Sequence, residues 1–193
     1  AAKEIIEQGQ IGLLKSIRYV KYSSRNKIPL TNVIDGLASH ALDTVPFLAG
    51  VLPKPFFNNI TVLNQQKPTH LANADECSLN IQYSRPGNAA DVTVEIKVGW
   101  GQNDRSLITV EGSRNCLRLD FRRANSLEIG SLGDGFKPVS MTDIKPPLQF
   151  QYEQILSQSE HSISHSQSHL QTAEILRITM LRAENWCEKY VDN

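Results

Sequence analysis

A chain of 193 residues with 40% hydrophobic content can bury one sizeable core, most economically as a single domain over residues 1–193. Lys and Arg number 20 and Asp and Glu number 20, so the formal charge is zero; without a basic tract, this argues against nucleic acid or an anionic membrane as a partner. No apolar run reaches the length of a membrane span, and the N-terminus lacks a signal-peptide pattern. The 3 cysteines, Cys77, Cys116 and Cys187, are odd in number and include no CxxC pair, which points to free thiols in a reducing cytoplasm.

The opening AAKEIIEQGQIG starts at once with helix-forming residues and no cap. It reads as the end of a helix whose front lies upstream, stopping at Gly9. Leu14 to Ser24, rich in aromatic and β-branched residues, predicts a strand, followed by a polar loop from Arg25 to Asn32. Val33 to Gly50, VIDGLASHALDTVPFLAG, predicts the central helix. Leu37, Ala41, Val45 and Leu48 form its core-facing stripe, with Pro46 as a point of bending and Gly50 as the stop.

His40 and Asp43 lie three apart on another stripe, which continues to Phe47. A lone His on a helix is most often a partly buried, hydrogen-bonded side chain, and Asp43 reads equally as a surface carboxylate. An imidazole that titrates near neutrality beside a carboxylate is nonetheless suited to taking a proton from a substrate hydroxyl.

Six strands are expected beyond the helix: Phe56–Leu63, Cys77–Tyr83, Ala90–Val98, Ser106–Glu111, Asn115–Phe121 and Ser126–Ile129. Val92, Val94, Ile96 and Val98 alternate with Thr93, Glu95 and Lys97. Leu117, Leu119 and Phe121 alternate with Arg118, Asp120 and Arg122. One apolar and one polar face describe an antiparallel or mixed sheet whose apolar side needs a cover, and only the helices can supply it.

Gly130 to Pro147 reads as a loop, and its GSLGDG lacks the spacing of a dinucleotide-binding turn. Two helices are expected after it, Leu148–Ser159 and Leu170–Tyr190, the second with Leu170, Ala173, Leu176, Met180, Ala183 and Cys187 toward the core. Between them lie His161, His165 and His169. Their spacing of four invites a metal reading, but the Ser- and Gln-rich surroundings, without Cys or Asp, favour a polar loop and no metal site.

In order and spacing these segments resemble the C-terminal domain of the Gfo/Idh/MocA family of NAD(P)-dependent oxidoreductases, over essentially the whole chain. Gly9 to Gly12 is similar to the family's Gly-x-Ile-Gly turn into the first strand. HALDTVPFLAG is similar to its His-x-x-Asp motif, carried by His40, Asp43, Phe47, Leu48 and Gly50. ITVEGSRNCLRLDF resembles its strand, Glu-Gly turn and strand, with Asn115 where a second Gly is common. TAEILRITMLRAENW is similar to its last helix.

The resemblance implies an α+β fold, an open, mainly antiparallel sheet with helices on one face, like that of dihydrodipicolinate reductase. It implies a substrate pocket beside the central helix, with hydride passing between NAD or NADP and a sugar or polyol hydroxyl. His40 would be the acid/base, and Asp43 would hydrogen-bond neighbouring hydroxyls. Many relatives carry Asp four residues before the His; Gly36 stands there, so either Asp35, one place early, substitutes through a local shift or the acid is absent and the chemistry altered.

With no GxGxxG turn and no Glu-Lys-Pro segment, the chain is expected to lack the family's N-terminal Rossmann domain, which would bind most of the cofactor. It is therefore expected to be inactive alone. The sheet's open face is often an oligomer interface in the family, so a homo-oligomer is a further expectation. The alternative is a non-enzymatic oligomerisation or ligand-binding module of the same fold.

Overall fold

A computed structural model describes residues 1–24, 32–50, 55–63, 74–83, 91–101, 103–123, 126–131, 133–140 and 162–189. The elements are α1 (Ala2–Glu7), β1 (Leu14–Ser23), a π-helical turn (Ile34–Ala38), α2 (Ser39–Ala49), β2 (Pro55–Leu63), β3 (Glu76–Tyr83), β4 (Val92–Trp100), β5 (Arg105–Gly112), β6 (Cys116–Asp120), β7 (Leu127–Ser131), β8 (Gly135–Pro138) and α3 (Ser162–Lys189).

Among the described residues 8 strands join one sheet in the order β2-β3-β4-β1-β5-β6-β7-β8. Only β1 and β4 run parallel; every other neighbouring pair is antiparallel. β2 therefore runs in the same direction as β1, with β3 and β4 laid between them. Such a return to the same direction needs a crossover, and α2 lies in it.

Strand alternation sorts the two faces. Ile81, Val94, Ile17, Val110, Leu117 and Ile129 form a register row across six strands, and Leu79, Ile96, Tyr19, Ile108, Leu119 and Leu127 form the next. Nearly all are buried, Leu79, Ile81, Val94 and Ile96 completely. The opposite face carries the row Asn80, Glu95, Arg18, Thr109, Arg118 and Glu128. Arg18 bridges to Glu95 at 2.8 Å and Lys97 to the same carboxylate at 2.6 Å. Polar cross-strand pairs keep this face compatible with water, whereas the apolar rows require the helical layer.

The helices supply it. Leu37, Ala41, Val45 and Leu48 are all 5% exposed or less, as their helical spacing requires, and α2 packs against α1, α3 and β1. α3 adds Ile175, Thr179, Ala183 and Cys187, spaced by four, all buried. The Thr179 hydroxyl is satisfied within the helix, donating to the Ile175 carbonyl at 2.7 Å.

Two turns that stand out in the sequence are docked on one another. The Arg114 and Asn115 amides donate to the Ile11 carbonyl at 3.0 and 3.3 Å, and the Ser113 amide donates to that of Leu13 at 2.8 Å. Asn115 Nδ2 donates to the Gln10 carbonyl at 2.9 Å, which gives the Asn at this position a bonding role. The stop after α1 is thus tied to the β5–β6 turn.

Four expectations change. The central helix begins at Val33 as expected but is not a regular α-helix after it: residues 34–38 form a π turn, with the Ser39 amide bonded to the Ile34 carbonyl. The segment Gly130–Pro147 is not all loop, because Gly135–Pro138 pairs with β7 as an edge hairpin. A strand of four residues is too short for alternation to announce it. The stretch from Ser162 to His169 is helical, the first two turns of α3, where a polar loop was expected. Finally, Ala173 is exposed and Leu176 and Met180 are only partly buried, so the core stripe of α3 is rotated from the expected one. The expected helix Leu148–Ser159, most of the Arg25–Asn32 loop, His161 and the side chains of His165 and His169 lie outside the described residues.

Candidate functional site

Burying one stripe of α2 leaves the opposite stripe outward. His40, Asp43 and Phe47 follow each other along it, all exposed, and the Lys3 ammonium of α1 sits 4.9 Å from the centre of the Phe47 ring. The two hydroxyls of this helical stretch turn away from the stripe onto the backbone: Ser39 donates to the Asp35 carbonyl and Thr44 to that of His40, both at 2.6 Å.

The π turn decides where Asp35 falls. A π turn widens the helix by one residue and is common at functional sites. In a continuous α-helix a residue five before His40 points to the far side. With about 4.4 residues per turn, residues five apart instead stack, as residues four apart do in an α-helix. The widening lies between Asp35 and His40, so the two are not at regular α-helical spacing, and both are exposed. The Asn32 side chain closes the start of this turn, accepting from the Asp35 amide at 2.8 Å.

A cation not singled out from the sequence completes the surroundings. Lys21 is paired with Val98 and Ser106, one row beyond Tyr19, on the face covered by the helices. Half-buried there, its ammonium is pushed below the usual lysine range by desolvation. It also acts on His40. Partial burial lowers the imidazole pKa from 6.5, the Lys21 charge lowers it further, and Asp43 opposes both. His40 is therefore the neutral imidazole at pH 7, the form that accepts a proton. The signal for Lys21 was the parity of LKSIRYVKYS, in which Ile17, Tyr19 and Lys21 share a face.

Among the described residues no group of three His, Cys, Asp or Glu is placed to hold a metal ion. No described helix is long and apolar enough to cross a membrane. The three cysteines are buried and form no disulfide.

No family model matches the sequence, and no curated protein does. Solved structures do match. An oxidoreductase from Sinorhizobium meliloti superposes over 95% of this chain and 58% of its own, with a TM-score of 0.67 and 14% identity. The 3-ketoreductase KijD10 from Actinomadura kijaniata, solved with TDP-benzene and NADP, gives a TM-score of 0.65 over 91% of this chain and 54% of its own, at 14% identity. A levoglucosan dehydrogenase solved with NADH and levoglucosan gives 0.55 over 72% of this chain and 43% of its own, at 19% identity.

These neighbours are oxidoreductases of the Gfo/Idh/MocA type, and this chain has the fold of their C-terminal domain. At such identities the likeness is one of fold. The chain spans a little over half the length of the first of them, 58%.

Proposed function

We propose that this chain is the substrate-binding domain of a Gfo/Idh/MocA-type oxidoreductase that moves hydride between NAD or NADP and a carbinol carbon of a sugar or polyol. The observation that supports this reading is the exposed stripe of His40 and Asp43, on a fold shared with a levoglucosan dehydrogenase and other oxidoreductases.

In the oxidative direction His40, neutral at pH 7, accepts the proton of the reacting hydroxyl as hydride leaves the same carbon, and a carbonyl results. Asp43 and Asp35 accept hydrogen bonds from adjacent hydroxyls and set which carbon faces the acceptor. Lys21 keeps the imidazole in its basic form. Phe47 offers the apolar face against which a sugar ring can lie.

The nicotinamide supplies the hydride acceptor when bound. This sequence has no Gly-x-Gly-x-x-Gly turn, so we assign its binding mainly to a Rossmann domain outside these residues; the domain by itself then turns nothing over. Three buried cysteines outside any disulfide suit the reducing cytoplasm in which such an enzyme would work.

The test is turnover by the full-length protein with NAD and NADP against a panel of sugars and polyols. His40→Ala is expected to lower kcat/KM by about 10²–10⁴-fold, the usual contribution of a positioned acid/base. Asp35→Asn is expected to act mainly on KM. Unchanged turnover in His40→Ala would remove the imidazole from the chemistry.

A further inference from the structure

On the open face of the sheet, away from α2, lies a cavity of about 390 Å³ lined by Arg105, Leu107, Arg118, Asp120, Arg122, Arg123, Ser126 and Glu128. Register explains the assembly. Asp120 is opposite Leu107 and Arg118 opposite Glu128, so β5, β6 and β7 contribute neighbouring residues of one face, while Arg122 and Arg123 come from the turn after β6.

The cations divide into two kinds. Arg122 is held: its Nε and Nη2 each donate to the Asp120 carboxylate at 3.2 Å, and its Nη1 donates to the Asp104 carbonyl at 2.5 Å. These bonds hold the Asp120 carboxyl below the usual carboxylate range, so it stays charged and keeps Arg122 in place. Arg123 stands 3.7 Å from the same carboxylate.

Arg105 and Arg118, by contrast, make no ion pair among the described residues. The Arg118 guanidinium lies over the Phe136 ring, 4.2 Å from its centre, and its Nε is buried without an acceptor. A buried donor without a partner is uncommon in a folded protein and marks a place where an acceptor is expected.

We propose that this cavity binds the phosphoryl group of a small phosphorylated molecule. Four guanidiniums against two carboxylates leave two positive charges, which match the dianion of a phosphate monoester at neutral pH. Guanidinium forks on a rigid sheet suit three equivalent phosphoryl oxygens better than one carboxylate, which a single fork satisfies. The volume exceeds what a bare ion needs, so room remains for the organic part of the ligand. This site shares no residue with the α2 stripe and does not rest on the reaction proposed there.

Inorganic phosphate and a hexose monophosphate, titrated calorimetrically into the chain at constant ionic strength, test the assignment. Saturable binding of the monophosphate is expected, with affinity falling at least tenfold in Arg105→Gln/Arg118→Gln and unchanged in His40→Ala. Saturation by phosphate as well would assign recognition to the phosphoryl group. Should the double variant fail to fold, Arg105→Gln, at an exposed strand end, gives the same reading alone. No saturable binding, or binding indifferent to these arginines, would overturn the proposal. So would sedimentation of the chain as a dimer that dissociates in Arg105→Gln, since a second copy would then occupy the cavity.

Discussion

Gly112 lies so close to Ile11 that a Cβ at this position would stand 2.8 Å from the Ile11 carbonyl carbon and nearer still to its oxygen. That carbonyl is the acceptor for Arg114 and Asn115, so it cannot withdraw without breaking the junction between the two turns. Gly112→Ala is expected to destabilise the chain by about 1–3 kcal/mol, the cost of overpacking a site that cannot relax. Gly133→Ala is the control: nothing lies within 4 Å of a Cβ there, and its effect should fall within about 0.5 kcal/mol. Urea unfolding of both variants checks the contrast.

The register rows make a second prediction. Ile81 is fully buried at the end of a six-strand apolar row beneath the helices. Ile81→Ala removes that volume from a closed layer and is expected to cost about 2–5 kcal/mol, against a total of about 5–15 kcal/mol for an ordinary domain. Leu181→Ala, on α3 at 46% exposure, should change stability by no more than about 0.5 kcal/mol. Equal losses from the two would contradict the one-sided core.

What the sequence disclosed follows the strength of its periodic signals. Val92, Val94, Ile96 and Val98 announced a half-buried strand, and Leu37, Ala41, Val45 and Leu48 a helix face, because each side chain reports its side at every turn of the pattern. The π turn was not legible: a one-residue widening leaves apolar spacing nearly unchanged over five residues. The core stripe of α3 was displaced because Thr179, a polar residue, is buried in place of its apolar neighbours once its hydroxyl bonds the Ile175 carbonyl. The arginine cavity joins residues 105 to 128 through pairing partners, which no local pattern encodes.

The cysteines offer a test of the closed core. Cys77, Cys116 and Cys187 are each 6% exposed or less, and burial pushes the Cys77 thiol up to about 12. The thiolate is the reactive form, so Cys77 is doubly protected, by access and by protonation. In the folded chain at pH 8 a disulfide reagent should label these thiols only at the rate of opening, whereas all three should react at once in denaturant. Immediate labelling of Cys77 in the folded chain would place it outside the core.

The electrostatics around His40 predict opposite effects from two neighbours. Lys21 lowers the imidazole pKa and Asp43 raises it, while partial burial keeps it below 6.5. A ¹H–¹³C titration of the imidazole in this chain should therefore give a midpoint below 6.5, moving up in Lys21→Met and further down in Asp43→Asn. The same sign governs stability. As pH falls below 6.5 the unfolded imidazole binds a proton that the folded one resists, so the unfolded state holds more protons and stability declines until the folded midpoint is passed. His40→Gln should flatten that decline. For the activity proposed above, with His40 as the base, the acid limb of kcat/KM of the full-length protein should follow the same two shifts. A limb that stays fixed in both variants while the imidazole midpoint moves would separate the residue that titrates from the one that takes the proton.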